Sequence, residues 1–598
     1  MNDSEVIPTT QQEAAALMGE QRRAAGTLFR ALDSDGDGVI TAADIDAAPA
    51  VLRALDTNGD GRLTEDEIGG PTWLPGWVRR SAIVRVLDPD GDVVITAEDI
   101  ADAPARLRTL DLDGDGCLTE DDDQPPINPA RADFFGGPLG TATLFNQLFR
   151  YLPADAGPIM PGADDRQDPS ARLVYESGSA GDSQVSNRNL LLAASGETLH
   201  DWPAVNHVSE GTTSVLLPDG RNLRTSAPGN WLVHRTFPVG AHGVIELVEP
   251  DGTLVWSHTL LEPGTRVLHH DIEPLPNGNI LATVYESMSL EDAEAMGWVR
   301  QPTDTLLLPP ELRQFWTERI IEIEPDLETG GADIVWEWDS RDHLIQDVEG
   351  AKPNYGVITP DCRKLDLNYT QMVDFFFCMG QIFHVNVISY DARHDQIMLS
   401  SAMHDEIWII DHSTTTEEAR GPAGDLLYRF GNPSAHGAGP YESKTLFWQH
   451  DPHWLPDDSP RSGDILLFNN GARRNADGTP NRVETRMGFG RSYTELLEVR
   501  LPRRSDGSYE WAPDDPLNGA DLTWSWNRDN TRDLFSPFMG SARRLPNGNT
   551  LVVQGYDKRI REVTPDGDVV LDYRLGGPGR IYRALPYALD DPALKRLG

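Results

Sequence analysis

RLPNGNTLVVQGYDKRIREVTPDGDVVLDY, residues Arg544–Tyr573, alternates apolar strand segments with a Pro-Asn-Gly and a Pro-Asp-Gly turn and ends on an aromatic residue. Pro presets φ at the first turn position and Gly accepts positive φ later in the turn, so each tripeptide marks a tight chain reversal. The same grammar recurs in LLPDGRNL (Leu216–Leu223), ELVEPDGTLVW (Glu246–Trp256), PLPNGNILATV (Pro274–Val284) and IEIEPDLETGGADIVWEW (Ile321–Trp338). Repeated strand units of this kind predict a β-propeller, with a β-sandwich array as the alternative. About 410 residues follow Asn187, and ~40–70 residues per blade gives roughly six blades. The strands in Arg559–Tyr573 are expected to close the ring against Leu190–Trp202.

A different repeat precedes this body. LDSDGDGVITAADI (Leu32–Ile45) returns 55 residues later as LDPDGDVVITAEDI (Leu87–Ile100), and LDTNGDGRLTEDE (Leu55–Glu67) returns as LDLDGDGCLTEDD (Leu110–Asp122). Each copy carries oxygen-bearing side chains at loop positions 1, 3, 5, 9 and 12, the EF-hand spacing that wraps a hard cation. The expected Ca²⁺ ligands are Asp33, Asp35, Asp37, Thr41 and Asp44; Asp56, Asn58, Asp60, Thr64 and Glu67; Asp88, Asp90, Asp92, Thr96 and Asp99; and Asp111, Asp113, Asp115, Thr119 and Asp122. Position 6 is Gly38, Gly61 and Gly116 but Val93 in the third loop, where a β-branched residue resists positive φ and weakens the site. Within each pair the loops start 23 residues apart, so one short helix such as Ala42–Ala54 serves as exit and entry. The resulting division is an N-terminal tail (1–24), an α-helical EF-hand domain (25–125), a linker and approach (126–186) with a short helix near Thr143–Leu152, and the mainly β body (187–598).

The 598 residues hold 51 Lys+Arg against 95 Asp+Glu, a formal net charge of −44. That charge repels nucleic acid and anionic membrane and favours cations. The longest apolar stretch, around Phe375–Phe377, falls far short of the ~20 residues that span a bilayer. Cys117, Cys362 and Cys378 form no metal or redox spacing and read as thiols, a Cys362–Cys378 bridge being the alternative. The first residues, MNDSEVIPTTQQEAAALMG, lack the basic and apolar regions of a secretory signal.

Histidines enter the strand repeat at particular places. HHDIEPLPNGN (His269–Asn279), FHVNVISYD (Phe383–Asp391) and WQHDPHWLP (Trp448–Pro456) each set a histidine just before a strand expected to line the propeller axis. Three such histidines from three blades predict one polar axial pocket. Strand alternation predicts that His269 and His270 point opposite ways.

These phrases, together with DQIMLSSAMHDEIWIID, DILLFNNG and RLPNGNTLVV, resemble the bacterial arylsulfotransferase family, whose enzymes work without the nucleotide donor PAPS on a six-bladed propeller. The resemblance covers about Asn187 to Tyr573. It implies transfer of a sulfuryl group from a small-molecule aryl sulfate to a phenolic acceptor, with His450 as the nucleophile that becomes sulfated. It further implies that His384 and His270 (or His269) protonate the leaving oxygen or hold the sulfuryl oxygens and that Asn386 adds an N–H donor, with no separate cofactor. It also implies a periplasmic or secreted protein. The family's arginine in its "SSR" phrase is Ala402 here, and His404 on the same strand face, or Arg429 further off, is the expected substitute.

Two other classes remain at this stage. His270, His384, His404 and His450 are also a ligand set for a transition metal in a hydrolase, lyase or oxygenase. A Ca²⁺-loaded propeller that binds without turnover is the third reading. Trp336, Trp338 and Trp408 read as blade packing, His343 as a loop cap or channel-mouth residue, and Asn469–Asn470 before Gly471 first as a blade turn, with donor binding as the alternative. The sequence leaves the oligomeric state open.

Overall fold

The computed structural model describes residues 27–34, 39–64, 67, 83, 87, 94–110, 117–119, 157–158, 164–177, 188–202, 212–227, 240–299, 315–348, 350–369, 380–457, 459–471, 474, 493–527, 534–575 and 580–597. The chain divides into two compact units, Met1–Asn146 and Gln147–Gly598. The expected helix near Thr143–Leu152, residue Cys378, and the loop ligands Asp35, Asp37, Asp88, Asp90, Asp92, Asp111, Asp113, Asp115 and Asp122 lie outside the described residues. No described helix is long and apolar enough to cross a membrane.

In the first unit, helices Ala42–Leu55 and Ala97–Leu107 pack on each other over a core that includes Ile45, Leu52, Ile100 and Leu107. Both begin with a capping box: Thr41 and Asp44 exchange hydrogen bonds in one, Thr96 and Asp99 in the other. The single helix expected between neighbouring loops is therefore present as Ala42–Leu55. Loop pairing runs across the repeats, however. Val39–Ile40 of the first loop pairs with Leu118–Thr119 of the fourth, and Leu63 of the second bridges Ile95 of the third. A helix of 14 residues is about 21 Å long at 1.5 Å per residue, so it holds its two flanking loops apart and each must find its partner elsewhere.

The second unit is a six-bladed β-propeller, mainly antiparallel sheet. Blade 1 is Ser214–Leu216, Asn222–Ser226, Val244–Val248 and Leu254–Thr259; blade 2 is Leu261–Glu262, Arg266–Pro274, Ile280–Met288, Phe315–Pro325 and Ala332–Asp339. Blade 3 is Val385–Asp391, Gln396–Ser401, Glu406–Asp411 and Tyr428–Phe430; blade 4 is His450–Trp454, Ile465–Asn469, Glu495–Arg500 and Asp521–Trp526. Blade 5 is Ser541–Arg544, Thr550–Gln554, Arg559–Val563 and Val569–Arg574, edged by Gly157–Pro158.

Blade 6 closes the ring differently from the expectation. Its inner strand is the C-terminal Arg580–Tyr587, paired antiparallel with Ala171–Ser177, while Arg188–Leu192 and Thr198–Trp202 complete it. Arg559–Tyr573 does not pair with Leu190–Trp202; instead Tyr573 and Arg574 pair with Pro158 and Gly157. Strands therefore begin ahead of Asn187, within the Gly/Pro/Asp-rich stretch whose composition hid them. Closure by both termini leaves the ring no free sheet edge between first and last blades.

The turn signals do what their chemistry dictates. Gly220, Gly252, Gly278, Gly548 and Gly567 have φ between +82° and +97°, a range that only Gly enters without strain. Tryptophans on outer strands reach into neighbouring blades: Trp256 Nε1 donates to the Gly331 carbonyl at 2.8 Å, Trp338 to Gly424 at 2.8 Å and Trp526 to Gly567 at 3.1 Å. Buried glutamates on third strands add ionic struts. Glu498 joins Arg461 and Arg544, and Glu562 joins Arg172 and Asn549.

Arg172 and Glu562 are both fully buried, 2.9 Å apart, and link blade 6 to blade 5. Arg172→Met strands a buried carboxylate and is expected to cost about 3–5 kcal/mol, measured as a lowered urea midpoint. The double variant Arg172→Met/Glu562→Gln should recover most of that loss.

Candidate functional site

Each inner strand that carries a site histidine is bulged where the histidine sits. Register shifts fall between His269 and Ile272, between Val385 and Val387, and between His450 and His453. His270, His384 and Asp451 adopt φ of 44°, 49° and 55°, a left-handed backbone uncommon for residues with a side chain. A bulge places two residues against one and re-aims side chains. That explains why adjacent His269 and His270 do not point to opposite faces as alternation predicts: their Nδ1 atoms are 2.9 Å apart.

The cluster gathers near the axis. The His270 and His384 rings are 4.6 Å apart, and His270 and His450 stand 6.4 and 5.8 Å from the ring of Tyr582, which comes from the closing strand. Gly240 accepts the His270 N–H at 3.0 Å, and a Cβ there would collide with the imidazole. His269 lies behind, stacked on Tyr285 at 3.5 Å and bonded through Nε2 to Glu318 at 2.8 Å. His384 Nδ1 bonds Gln381 Oε1, and its ring is 5.4 Å from that of Trp448.

The His450 tautomer follows from its neighbours. Asn470 uses its amide N–H groups on the Ser536 and Met539 carbonyls, which turns Oδ1 toward His450 Nδ1 at 2.8 Å. The Trp448 carbonyl faces the same nitrogen at 3.1 Å. Two acceptors require Nδ1–H, so Nε2 holds the lone pair and accepts the Met539 N–H at 3.3 Å. Burial lowers the His450 pKa to about 4, which keeps the ring neutral at pH 7.

Beneath the histidines lies a buried ionic plug. Arg583 spans Asp271 at 2.7 and 3.0 Å and approaches Asp451 at 3.2 Å, while Arg543 also pairs with Asp451. Both guanidinium groups are thus matched by carboxylates. Asn386 Nδ2 donates to the Gln449 carbonyl at 2.9 Å, and its buried Oδ1 meets no hydrogen-bond partner among the described residues.

Other expected site residues are placed elsewhere. His404 sits among Tyr369, Phe383 and Trp408, with neither ring nitrogen in a well-formed hydrogen bond. Burial, helped by the Arg429 charge, lowers its pKa to about 3. Arg429 is committed to Glu406 and to the Lys364 carbonyl. Neither residue joins the axial cluster. His453 bonds the Asp451 carbonyl, and His343 stacks on Trp338 and bonds Asp425. Sequence reasoning missed Glu318, Tyr582 and Arg583, and read Asn470 first as a turn residue. An inward charged residue in the apolar strand FWTERIIEIEP was the available signal for Glu318.

The second EF-hand loop is described at all five expected side chains. Asp56 accepts N–H bonds from Gly59 and Gly61, and Glu67 accepts from Thr57 and Thr64. Gly61 at φ +82° makes the sharp turn. In the third loop Asp99 pairs with Arg106 at 2.9 Å. The matching position 55 residues earlier is Val51.

Residues 314–569 match the arylsulfotransferase (ASST) family, and residues 26–45 and 50–69 match the EF hand. No curated protein matches the chain. Among solved structures, a protein of unknown function from Bacteroides caccae is 12% identical and covers 70% of this chain and 99% of that chain, with a TM-score of 0.35. Virginiamycin B lyase from Staphylococcus aureus is 10% identical over 67% and 84%, with a TM-score of 0.30. A periplasmic gluconolactonase from Pseudomonas aeruginosa is 11% identical over 69% and 98%, with a TM-score of 0.31.

The placement of His404 has a measurable consequence. Unfolded, it protonates below its ordinary 6.5; folded, it stays neutral down to about 3. The unfolded state therefore binds the extra proton in that window, and stability falls as pH drops through it by about 1.4 kcal/mol per unit. His404→Phe should gain about 2 kcal/mol more over the parent at pH 5 than at pH 7.5. An equal gain at both pH values in thermal melts would contradict this.

Proposed function

We propose that the axial cluster moves a sulfuryl group from an aryl sulfate to a phenolic acceptor through an N-sulfohistidine at His450. The observation that carries this reading is the fixed tautomer: Asn470 and the Trp448 carbonyl hold the proton on Nδ1, so the lone pair is on Nε2, where attack on sulfur would replace the long Met539 N–H contact at 3.3 Å. The family match over residues 314–569 supports the same chemistry. In the first step Nε2 bonds to sulfur as the S–O bond to the aryl group breaks. In the second a phenol oxygen attacks sulfur and the S–N bond breaks. Covalent catalysis splits one hard displacement into two.

His270 and His384 flank the position where sulfuryl oxygens would develop charge, but of the two rings only His270 carries an N–H there: His384 directs its one N–H to Gln381, and the Asn386 Nδ2 expected as a donor is bonded to the Gln449 carbonyl. Ala402, buried in blade 3, removes the guanidinium that the family resemblance implies, and Arg583 does not substitute because its nitrogens already face Asp271 and Asp451. Sulfuryl oxygens would therefore rely on neutral donors, which makes leaving-group protonation more important.

Among the described residues no three His, Cys, Asp or Glu side chains converge in an arrangement suited to a metal ion. Nδ1 of His270, His384 and His450 is in each case already taken by a protein partner.

For the N-terminal unit we propose Ca²⁺ binding. The second loop fits a hard cation: oxygen donors Asp56, Asn58, Asp60 and Glu67 lie on a turn that Gly61 permits. In the third loop Arg106 already supplies Asp99 with a positive charge, a cation that incoming Ca²⁺ must displace.

Two measurements test these readings. Intact mass after rapid quenching with p-nitrophenyl sulfate should show a sulfuryl-sized gain that His450→Ala abolishes and added phenol discharges. Asn470→Ala should slow that gain by about 10²-fold, the scale of a small misplacement of the attacking atom; no gain in the folded parent would refute the nucleophile. Separately, Arg106→Val should tighten the weakest calcium step in calorimetric titration and leave the others unchanged.

A further inference from the structure

Sulfuryl transfer leaves a negative charge on the departing aryl oxygen, and a poor leaving group needs a proton there. The imidazoles are ill suited to supplying one as cations: burial holds His269, His270 and His384 well below the ordinary histidine range. Two of the three cluster histidines also lack a proton on the nitrogen away from their protein partner. His450 and His384 each direct Nδ1–H to an acceptor, Asn470 or Gln381, so their Nε2 atoms are bare.

His270 is different. Its Nδ1 faces another Nδ1, that of His269, at 2.9 Å, and such a contact holds one hydrogen that either ring can own. His269 Nε2 in turn meets Glu318 Oε2 at 2.8 Å, and Glu318 Oε1 accepts the Val385 N–H at 2.9 Å. All three side chains are buried, at 0% exposure for His269, 4% for His270 and 1% for Glu318. The result is an unbroken line of hydrogen bonds from a carboxyl group to the ring beside His384 and Tyr582.

We propose that Glu318, His269 and His270 form a proton relay that serves the aryl oxygen, a role that rests on the sulfuryl-transfer reading of the same site. Glu318 Oε2–H passes its proton to His269 Nε2, His269 Nδ1–H passes its proton to His270 Nδ1, and His270 Nε2–H protonates the aryl oxygen. The S–O electron pair goes to that oxygen while His450 Nε2 bonds to sulfur. Glu318 ends as a carboxylate, both imidazoles end neutral in the opposite tautomer, and the product leaves as a phenol. When the acceptor phenol attacks, its proton returns along the same line to Glu318. No imidazolium forms in the relay at either stage. Burial raises the Glu318 pKa well above the carboxylate range, which suits it to hold the proton at rest. The carboxylate formed in transit keeps two donors, Val385 N–H and His269 Nε2–H.

The test is the leaving-group dependence of His450 sulfation in single turnovers, with p-nitrophenyl sulfate and phenyl sulfate as donors. Glu318→Gln preserves a donor to His269 and an acceptor for Val385 but cannot release a proton. It should slow sulfation from phenyl sulfate by about 10²-fold or more and leave p-nitrophenyl sulfate, whose phenolate departs unaided, within about threefold of the parent. Equal slowing with both donors, or none, in a folded variant overturns the relay while His450 transfer stands. If the variant misfolds, the parent decides: a solvent deuterium isotope effect present with phenyl sulfate and absent with p-nitrophenyl sulfate upholds the relay, and its absence with both overturns it. If the parent is not sulfated at His450 by either donor, the sulfuryl-transfer reading falls and the relay with it.

Discussion

Left-handed backbone at or beside the bulges of the inner strands is the constraint on which the site depends. A regular strand sends alternate residues to opposite faces, so it offers one axial side chain for every two residues. The bulges at His269–Ile272, Val385–Val387 and His450–His453 break that rule in three consecutive blades. Positive φ at His270, His384 and Asp451 costs of order 1–3 kcal/mol each and persists only where surroundings fix it. Here they do: Gly240 clears space for His270, and the ionic plug of Asp271, Asp451, Arg543 and Arg583 locks the strand ends below the rings.

That plug depends on ring closure. Tyr582 and Arg583 belong to the C-terminal strand, which enters the ring only because Ala171–Ser177 is waiting for it. The Tyr582 ring then lies within 6.4 Å of His270 and 5.8 Å of His450, and its hydroxyl donates to the Asn386 carbonyl. Stability of the ring and geometry of the site are thus one problem. Trp256, Trp338 and Trp526 solve it from the outside, and the Glu498 and Glu562 struts from within the blade interfaces.

Electrostatics divides the second unit's interior into two layers. The ionic plug balances Asp271 and Asp451 against Arg543 and Arg583, while the histidine layer above it is neutral because burial opposes charging each ring. A neutral histidine layer suits nucleophilic attack by nitrogen and disfavours binding an anion by charge alone.

Much was legible in the sequence. Pro-Asp-Gly turns and terminal tryptophans specified the blades, because φ preferences and outer-strand packing are local properties of those residues. The EF-hand segments at residues 26–45 and 50–69 and the helix Ala42–Leu55 were legible for the same reason, as were the positions of His384 and His450 just before or at the start of inner strands, whereas His270 falls in the middle of its strand. Tertiary structure alone decided the rest. Loops pair across the two repeats because a helix about 21 Å long separates neighbours on the chain. His404 stands apart from the axis although it shares a phrase with the family's site, and Asn470 serves His450 because the Ser536 and Met539 carbonyls take its amide hydrogens. Glu318, Tyr582 and Arg583 reach the site from strands that pattern identifies only as strands. Local preference is written residue by residue, whereas which rings share a proton depends on angstrom-scale distances between segments up to hundreds of residues apart in the chain.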